Sequence, residues 1–263
     1  MSFPFETIGL LSIIANFFLF ATVSVRARTT SSSFVVWRGL SPFNGQGIVA
    51  LLSGVRTKSN NRKTGDMAQL SIVSDSGLPS HSLSNGADAS SCGNCPLRPR
   101  LARLAGAAVS CYVFVAQSID AKWKAFQRGA YADGTSLNVL AESWRDKPIR
   151  IGDYGDGAMM PESIIRRLVT IASGWTAYTH QWEHTWALWA RRYFMASVAS
   201  AEERTAAKLR GFRTYRILQD GEVLEPGEIL CPNETKPHVT CRRCLACSGT
   251  EGRGEVDIAI HVH

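Results

Sequence analysis

Apolar positions along the chain gather in short runs separated by polar turns, and beyond residue 148 runs of strand type and helix type alternate. Two apolar runs, 48–52 and 67–73, predict strands on either side of a polar loop, 53–66. The stretch 74–91, rich in Ser, Asn, Gly and Asp and without periodicity, reads as a long loop. Ile119, Trp123 and Phe126 fall at helical spacing and predict a helix over 116–128. The region 129–147 shows no dominant period.

The pattern then becomes regular. A strand over 148–152 ends in the polar run DYGDG, and Pro161 opens a helix whose Ile164, Ile165, Leu168, Val169 and Ala172 form an apolar stripe that Gly174 stops. Strands follow at 175–180, 194–198, 212–218 and 256–262. Ser200 and Glu203 form a capping box for a helix running to Arg210, with Gly211 beyond its end. Strands alternating with helices of this length predict an α/β fold built from βα units with right-handed crossovers. A β/α barrel, complete or partial, fits best, with a doubly wound open sheet as the alternative.

In both architectures ligands collect at the carboxyl ends of the strands. The polar residues there are Asp153, Tyr154 and Asp156, then Thr179, His180 and Gln181, then Ser197 and Ser200, then His261 and His263. Asp153, Asp156, His180 and Ser197 are the candidate catalytic set. His180 and His184 formally match H-x-x-E-H, but His180 is predicted to end a strand, and a zinc peptidase needs both histidines on one helical face.

Residues 8–25 carry no charge, and eighteen residues is the minimum length for a membrane span. Arg26 and Arg28 follow it, so an anchor here would put the N-terminus outside and leave the body cytoplasmic. The alternative is an over-extended start, with TTSSS as a linker and folded sequence beginning at Phe34. Residues 1–33 are thus set apart from a single domain over 34–263, which is large enough to bury about 70% of its unfolded surface without help from a metal or disulfide.

The 263 residues include seven cysteines, an odd number that argues against a disulfide framework in a cytoplasmic body. Cys231, Cys241, Cys244 and Cys247 have the spacing C-x9-C-x2-C-x2-C, and Cys231 precedes Pro232. Four thiolates suit either a cubane iron-sulfur cluster or tetrahedral zinc; successive x2 spacings with a remote Cys-Pro favour the cluster. Cys92, Cys95 and Cys111 supply three ligands, the number that leaves one coordination position open for water, substrate or a cofactor, unless a histidine such as His81 completes the set.

The runs DASSCGNCPLRPR, CYV, RIGDYGD, YTHQW, MASVAS, GFRTYRI and TCRRCLAC together resemble an uncharacterised protein family of bacteriophages and bacterial plasmids. More remotely, a CxxC with a later Cys-Tyr ahead of βα repeats is similar to phage proteins allied to the radical S-adenosylmethionine enzymes. That resemblance implies a [4Fe–4S] cluster on Cys92, Cys95 and Cys111 at the mouth of a partial barrel, with S-adenosylmethionine at the fourth iron. The spacing here is C-x2-C-x15-C, where those enzymes have C-x3-C-x2-C.

The net charge of +7 keeps nucleic acid or a nucleotide as an expected partner. Arg56, Lys58, Arg62 and Lys63 lie in the loop 53–66, which lacks the pattern of a P-loop. Trp182, Trp186 and Trp189 recur at helical spacing and read as packing. Two functions follow: a radical-type iron-sulfur enzyme acting on nucleic acid or a nucleotide, or a non-catalytic, zinc-stabilised nucleic-acid-binding accessory protein.

Overall fold

The computed structural model describes residues 31–106, 111–144 and 146–261. The apolar segment 8–25 and His263 lie outside these residues. Among the described residues no helix is long and apolar enough to cross a membrane.

Among the described residues ten strands form one sheet: β1 Phe34–Leu40, β2 Gly47–Ser53, β3 Ala68–Ser74, β4 Ala132–Asp133, β5 Ile149–Tyr154, β6 Trp175–Thr179, β7 Met195–Val198, β8 Thr214–Leu218, β9 Glu228–Leu230 and β10 Asp257–His261. Their order is β4-β1-β2-β3-β5-β6-β7-β8-β10-β9. The first three strands are an antiparallel meander. From β3 through β5, β6, β7, β8 and β10 to β9 every pairing is parallel. The run from β3 to β8 follows chain order without turning back, so it lacks the reversal that marks a doubly wound sheet.

The helices are α1 Pro79–Asn85, α2 Ala89–Cys92, α3 Pro99–Leu104, α4 Asp120–Gln127, α5 Leu137–Ser143, α6 Glu162–Ile171, α7 Ala201–Leu209, α8 Pro232–Thr235 and α9 Cys241–Cys244. Helix α6 buries Ile165 and Leu168, the centre of its predicted stripe, against Ile149, Ile151 and Ala177 of the sheet. Each such side chain taken fully from water is worth about 1.5–3 kcal/mol. The tryptophan segment forms a 3₁₀ helix, Thr185–Arg192, and Trp182, Trp186 and Trp189 pack on the same core.

Three expectations change. The stretch 74–91 is not a long loop: it contains α1 and α2. Neither has an apolar stripe; Pro79 starts α1, Gly86 at φ +86° stops it, and Ser80 N–H donates to the Asp120 carboxylate at 2.9 Å. Strands β1, β4 and β9 were not predicted; β4 spans only two residues beside β1, and β9 only three beside β10. The helix over 116–128 is α4 preceded by a π turn, Val115–Ile119.

The opposite face of the parallel strands is different in character. Met195, Ile258 and Ile260 line it with Tyr178, Tyr215 and Ile217, and Cys231 and Cys247 pack into the same cluster. At the far edge a buried charge network ties β8, β9 and β10 to α7. Arg216 pairs with Glu228 at 2.7 Å, and Arg204 reaches Glu228 at 3.2 Å and Asp257 at 2.8 Å.

Candidate metal centres

The segment from Asp88 to Arg98 is a closed loop. The Arg98 guanidinium makes a bidentate pair with the Asp88 carboxylate, at 2.8 and 2.7 Å, and donates to the Gly93 and Gly86 carbonyls at 2.9 and 3.1 Å. The ion pair is almost fully buried, so both ends of the cysteine loop are fastened together. Gly93 has φ +58°, and a Cβ there would lie 2.2 Å from Gln181 Oε1, which makes glycine obligatory between the two cysteines. Cys95 N–H closes a turn onto the Cys92 carbonyl at 3.2 Å, and Cys111 N–H donates to the Leu97 carbonyl at 2.7 Å, bringing the third cysteine alongside.

This loop lies over the carboxyl ends of β5 and β6. Asp156 N–H donates to the Ser91 carbonyl at 2.7 Å, and Gln181 Nε2 donates to the Cys92 carbonyl at 3.0 Å. The three thiols feel one another. Burial pushes Cys92 well up, helped by the charge of Cys95; burial pushes Cys95 up to about 12, with Asp156 and Cys111 adding to the effect; burial also raises Cys111. Among the described residues, the buried oxygens Asn94 Oδ1 and Gln181 Oε1 have no hydrogen-bond partner.

The four C-terminal cysteines gather on the sheet face that carries Tyr178, Met195 and Tyr215, opposite the face that α6 covers. Cys231 follows β9, and its N–H donates to the Ala259 carbonyl at 2.8 Å. Cys241 and Cys244 bracket α9, a single turn, and Leu245 at φ +53° reverses the chain after it. The Cys247 carbonyl accepts from Ala177 N–H of β6 at 2.8 Å. Arg213, just before β8, fixes this segment by donating to the Ala246 and Gly249 carbonyls, both at 3.0 Å. Cys247 is raised to about 12 by burial, with Cys241, Cys231 and Cys244 adding repulsion, and it accepts a hydrogen bond from Tyr178. Burial likewise raises Cys241, while the nearby Arg150 lowers it.

The candidate rim residues sit on consecutive strands β5, β6 and β7 at one end, as parallel pairing requires. Asp153 is paired with Lys122, whose Nζ also donates to Ser71 Oγ at 2.8 Å. Asp156 is buried and accepts from Ala158 N–H at 2.9 Å, Thr179 Oγ1 at 3.0 Å, His180 N–H at 2.8 Å and Gln181 Nε2 at 3.4 Å. Burial raises its pKa despite these donors. It is a clamp between β5 and β6 that leaves little room for a further partner. Burial lowers the His180 pKa to about 4, so its imidazole is neutral at neutral pH. His180 follows the end of β6, as expected, and is not on a helix with His184. Ser197 is buried on β7, its carbonyl accepting from Trp182 Nε1 at 3.2 Å.

Asp88, Arg98, Lys122 and Arg150 escaped the sequence reading. The charged residues bracketing the CxxC were the signal available for the first two. Arg150 donates to the Tyr112 hydroxyl at 2.6 Å on the same sheet face as Tyr178. A groove of about 420 Å³ beside β1 and β4, lined by Trp37, Tyr131 and Arg167, takes in none of the seven cysteines and none of the rim residues.

All seven cysteines are free thiols, grouped as three and four. Among the described residues, no set of three or more His, Cys, Asp or Glu side chains is already disposed to hold a metal ion. The donor chemistry nevertheless fits: burial and mutual repulsion disfavour the thiolate forms of these cysteines, and a bound cation that replaces their protons would offset both. No protein family, no curated protein and no solved structure matches this chain.

Proposed function

We propose that this protein is a two-centre iron-sulfur enzyme of radical S-adenosylmethionine-like type, of the phage and plasmid kind its motifs resemble, acting on nucleic acid or a nucleotide. In this reading the parallel strands curve as an incomplete β/α barrel. The observation that carries it is the position of Cys92, Cys95 and Cys111 over the carboxyl ends of β5 and β6, where such folds react their substrates. Three thiols there leave one coordination position for a cofactor. A reduced cluster with S-adenosylmethionine at that position would supply one-electron chemistry. Within this proposal, the Asp88–Arg98 pair holds the ligand loop, Asp156 and Gln181 seat it on the strands, and Lys122 beside Asp153 carries an exchangeable proton at Nζ. The four C-terminal cysteines hold an auxiliary centre.

A second reading, a zinc-stabilised nucleic-acid-binding protein without catalysis, is favoured by one observation: the four-cysteine group is joined to the basic loop 53–66. Anaerobic purification followed by iron, sulfide and zinc analysis separates the two. Brown protein with iron and sulfide near two clusters per chain is the expected result. Colourless protein holding zinc alone would end the enzyme reading.

A further inference from the structure

The loop 53–66 and helix α9, whose Asp66 and Arg242 stand 176 positions apart, form one surface. Cys241 N–H donates to the Lys63 carbonyl at 3.0 Å and Arg242 N–H to the Thr64 carbonyl at 2.9 Å. The Arg242 guanidinium closes on the Asp66 carboxylate at 3.0 Å and on its carbonyl at 3.2 Å. Gly65, at φ +73°, permits the approach, since a Cβ there would come within 3.0–3.2 Å of Thr240 and Arg242.

The loop is also fixed from within. Asn61 Oδ1 accepts from Lys63 and Thr64 N–H at 3.0 and 2.8 Å, and Lys147 Nζ bridges the Gly54 and Thr57 carbonyls and the Asp66 carboxylate at 2.6–2.7 Å. A loop of this composition would be expected to move freely, but its backbone is held at both ends and against α9.

Arg56, Lys58, Arg62 and Lys63 of the loop and Arg242 and Arg243 of α9 are all exposed, as is Lys236 in the segment leading to α9. The acids among them are engaged, Asp66 with Lys147 and Arg242, and Glu234 with His261. Thus most of the chain's excess of +7 is concentrated where two distant segments meet. The exposed large apolar side chains all lie outside both segments, so the surface has no wedge to sink into a bilayer. Fixed Arg and Lys donors without an apolar face match phosphodiester oxygens.

We propose that this composite surface grips the phosphate backbone of a nucleic acid without regard to sequence, and that the four-cysteine group holds it together, because α9 carries two of those cysteines and two of the cations. The inference stands on the joined loop and helix and does not depend on the catalytic reading. The surface lies by the amino ends of β3 and β6, where Gly174 abuts Leu245. The three-cysteine loop lies over the carboxyl ends of β5 and β6. The basic surface is therefore a tether and not a part of the rim.

The test is fluorescence anisotropy of the full chain with a labelled 20-nucleotide single strand and the matching duplex at several salt concentrations, alongside co-sedimentation with neutral and phosphatidylserine-containing vesicles. Arg56→Ala/Arg62→Ala/Arg243→Ala should weaken nucleic-acid binding at least tenfold and lower the salt slope by about 2–3, one phosphate contact per cation. Arg103→Ala/Lys124→Ala/Arg128→Ala removes the same charge from other exposed positions and should leave affinity within about twofold. Cys244→Ser should weaken binding as the triple variant does. Equal losses from both triple variants, or Cys244→Ser binding like the unaltered chain, would overturn the proposal. So would phosphatidylserine-dependent vesicle binding without nucleic-acid binding. If the first triple variant fails to melt cooperatively, Arg62→Glu alone is compared with Arg128→Glu under the same criteria.

Discussion

The guanidinium of Arg98 is held by the Asp88 carboxylate and by the Gly86 and Gly93 carbonyls of the loop it closes. Removing it would leave a carboxylate buried without a countercharge, an arrangement that costs about 3–5 kcal/mol. Arg98→Leu is therefore expected to lower unfolding free energy by that order in a urea titration and, if the proposed rim centre is loaded, to reduce the metal bound by Cys92, Cys95 and Cys111 without reducing that of the C-terminal group. The buried thiols set a pH limit of their own. Burial holds Cys95 and Cys247 at about 12 against an ordinary 9.0, so the metal-free fold keeps their contribution below pH 9 and loses it as pH rises toward 12. His180 behaves oppositely. Its pKa is lowered from 6.5 to about 4, so its contribution is present above pH 6.5 and lost as pH falls through 4. Thermal melts of metal-free protein should show a plateau between these limits and a decline on either side. A melting temperature level from pH 9 to 11 would contradict burial of the thiols. Spacing groups Cys92, Cys95 and Cys111 in the sequence but says nothing of the Asp88–Arg98 clamp, because it carries no information about which charges are buried together.

Helix α7 shows how much an element can announce of itself. Ser200 Oγ accepts from Glu203 N–H at 3.2 Å, as the predicted capping box requires, and the Glu203 carboxylate reaches back one residue further, accepting from Ala199 N–H at 2.7 Å. Ser200→Ala should cost about 1 kcal/mol in chemical denaturation. Strand β9 announces nothing, since its three residues include Glu228, an acid at a buried position. Arg216 and Arg204 make that acid tolerable from β8 and α7. Glu228→Gln is expected to destabilise the edge by about 3 kcal/mol, leaving two buried guanidinium groups short of an anion. Hydrogen exchange should then speed up in β9 and β10 first; uniform acceleration across the sheet would show that the network is not local. Strand β1 was missed because its first three positions are buried in succession, without the alternation that marks a half-buried strand. Helix α1 was missed because Pro79, Gly86 and a bond from Asp120, and not an apolar stripe, hold it.

At the scale of the molecule, the sheet lies within residues 31–261, so a chain beginning at Ser31 should keep its circular dichroism and melt within a few degrees of the full chain. Sedimentation of the two with membranes reads residues 8–25 directly: if they are an anchor the full chain should pellet and the shorter one should not, and equal behaviour would favour the over-extended start. The sequence by itself determined the βα alternation beyond residue 148, the parallel pairing of the strands there and the cap of α7. These are properties of local period and spacing, which neighbouring residues alone enforce. Only the tertiary structure decided that Cys231 and Cys247 share one packed cluster, that Asp156 serves as a clamp, and that the basic loop is joined to α9. Each depends on strand register and on contacts between segments far apart in the chain. Such contacts are set by how the whole sheet packs, so no local pattern of residues encodes them.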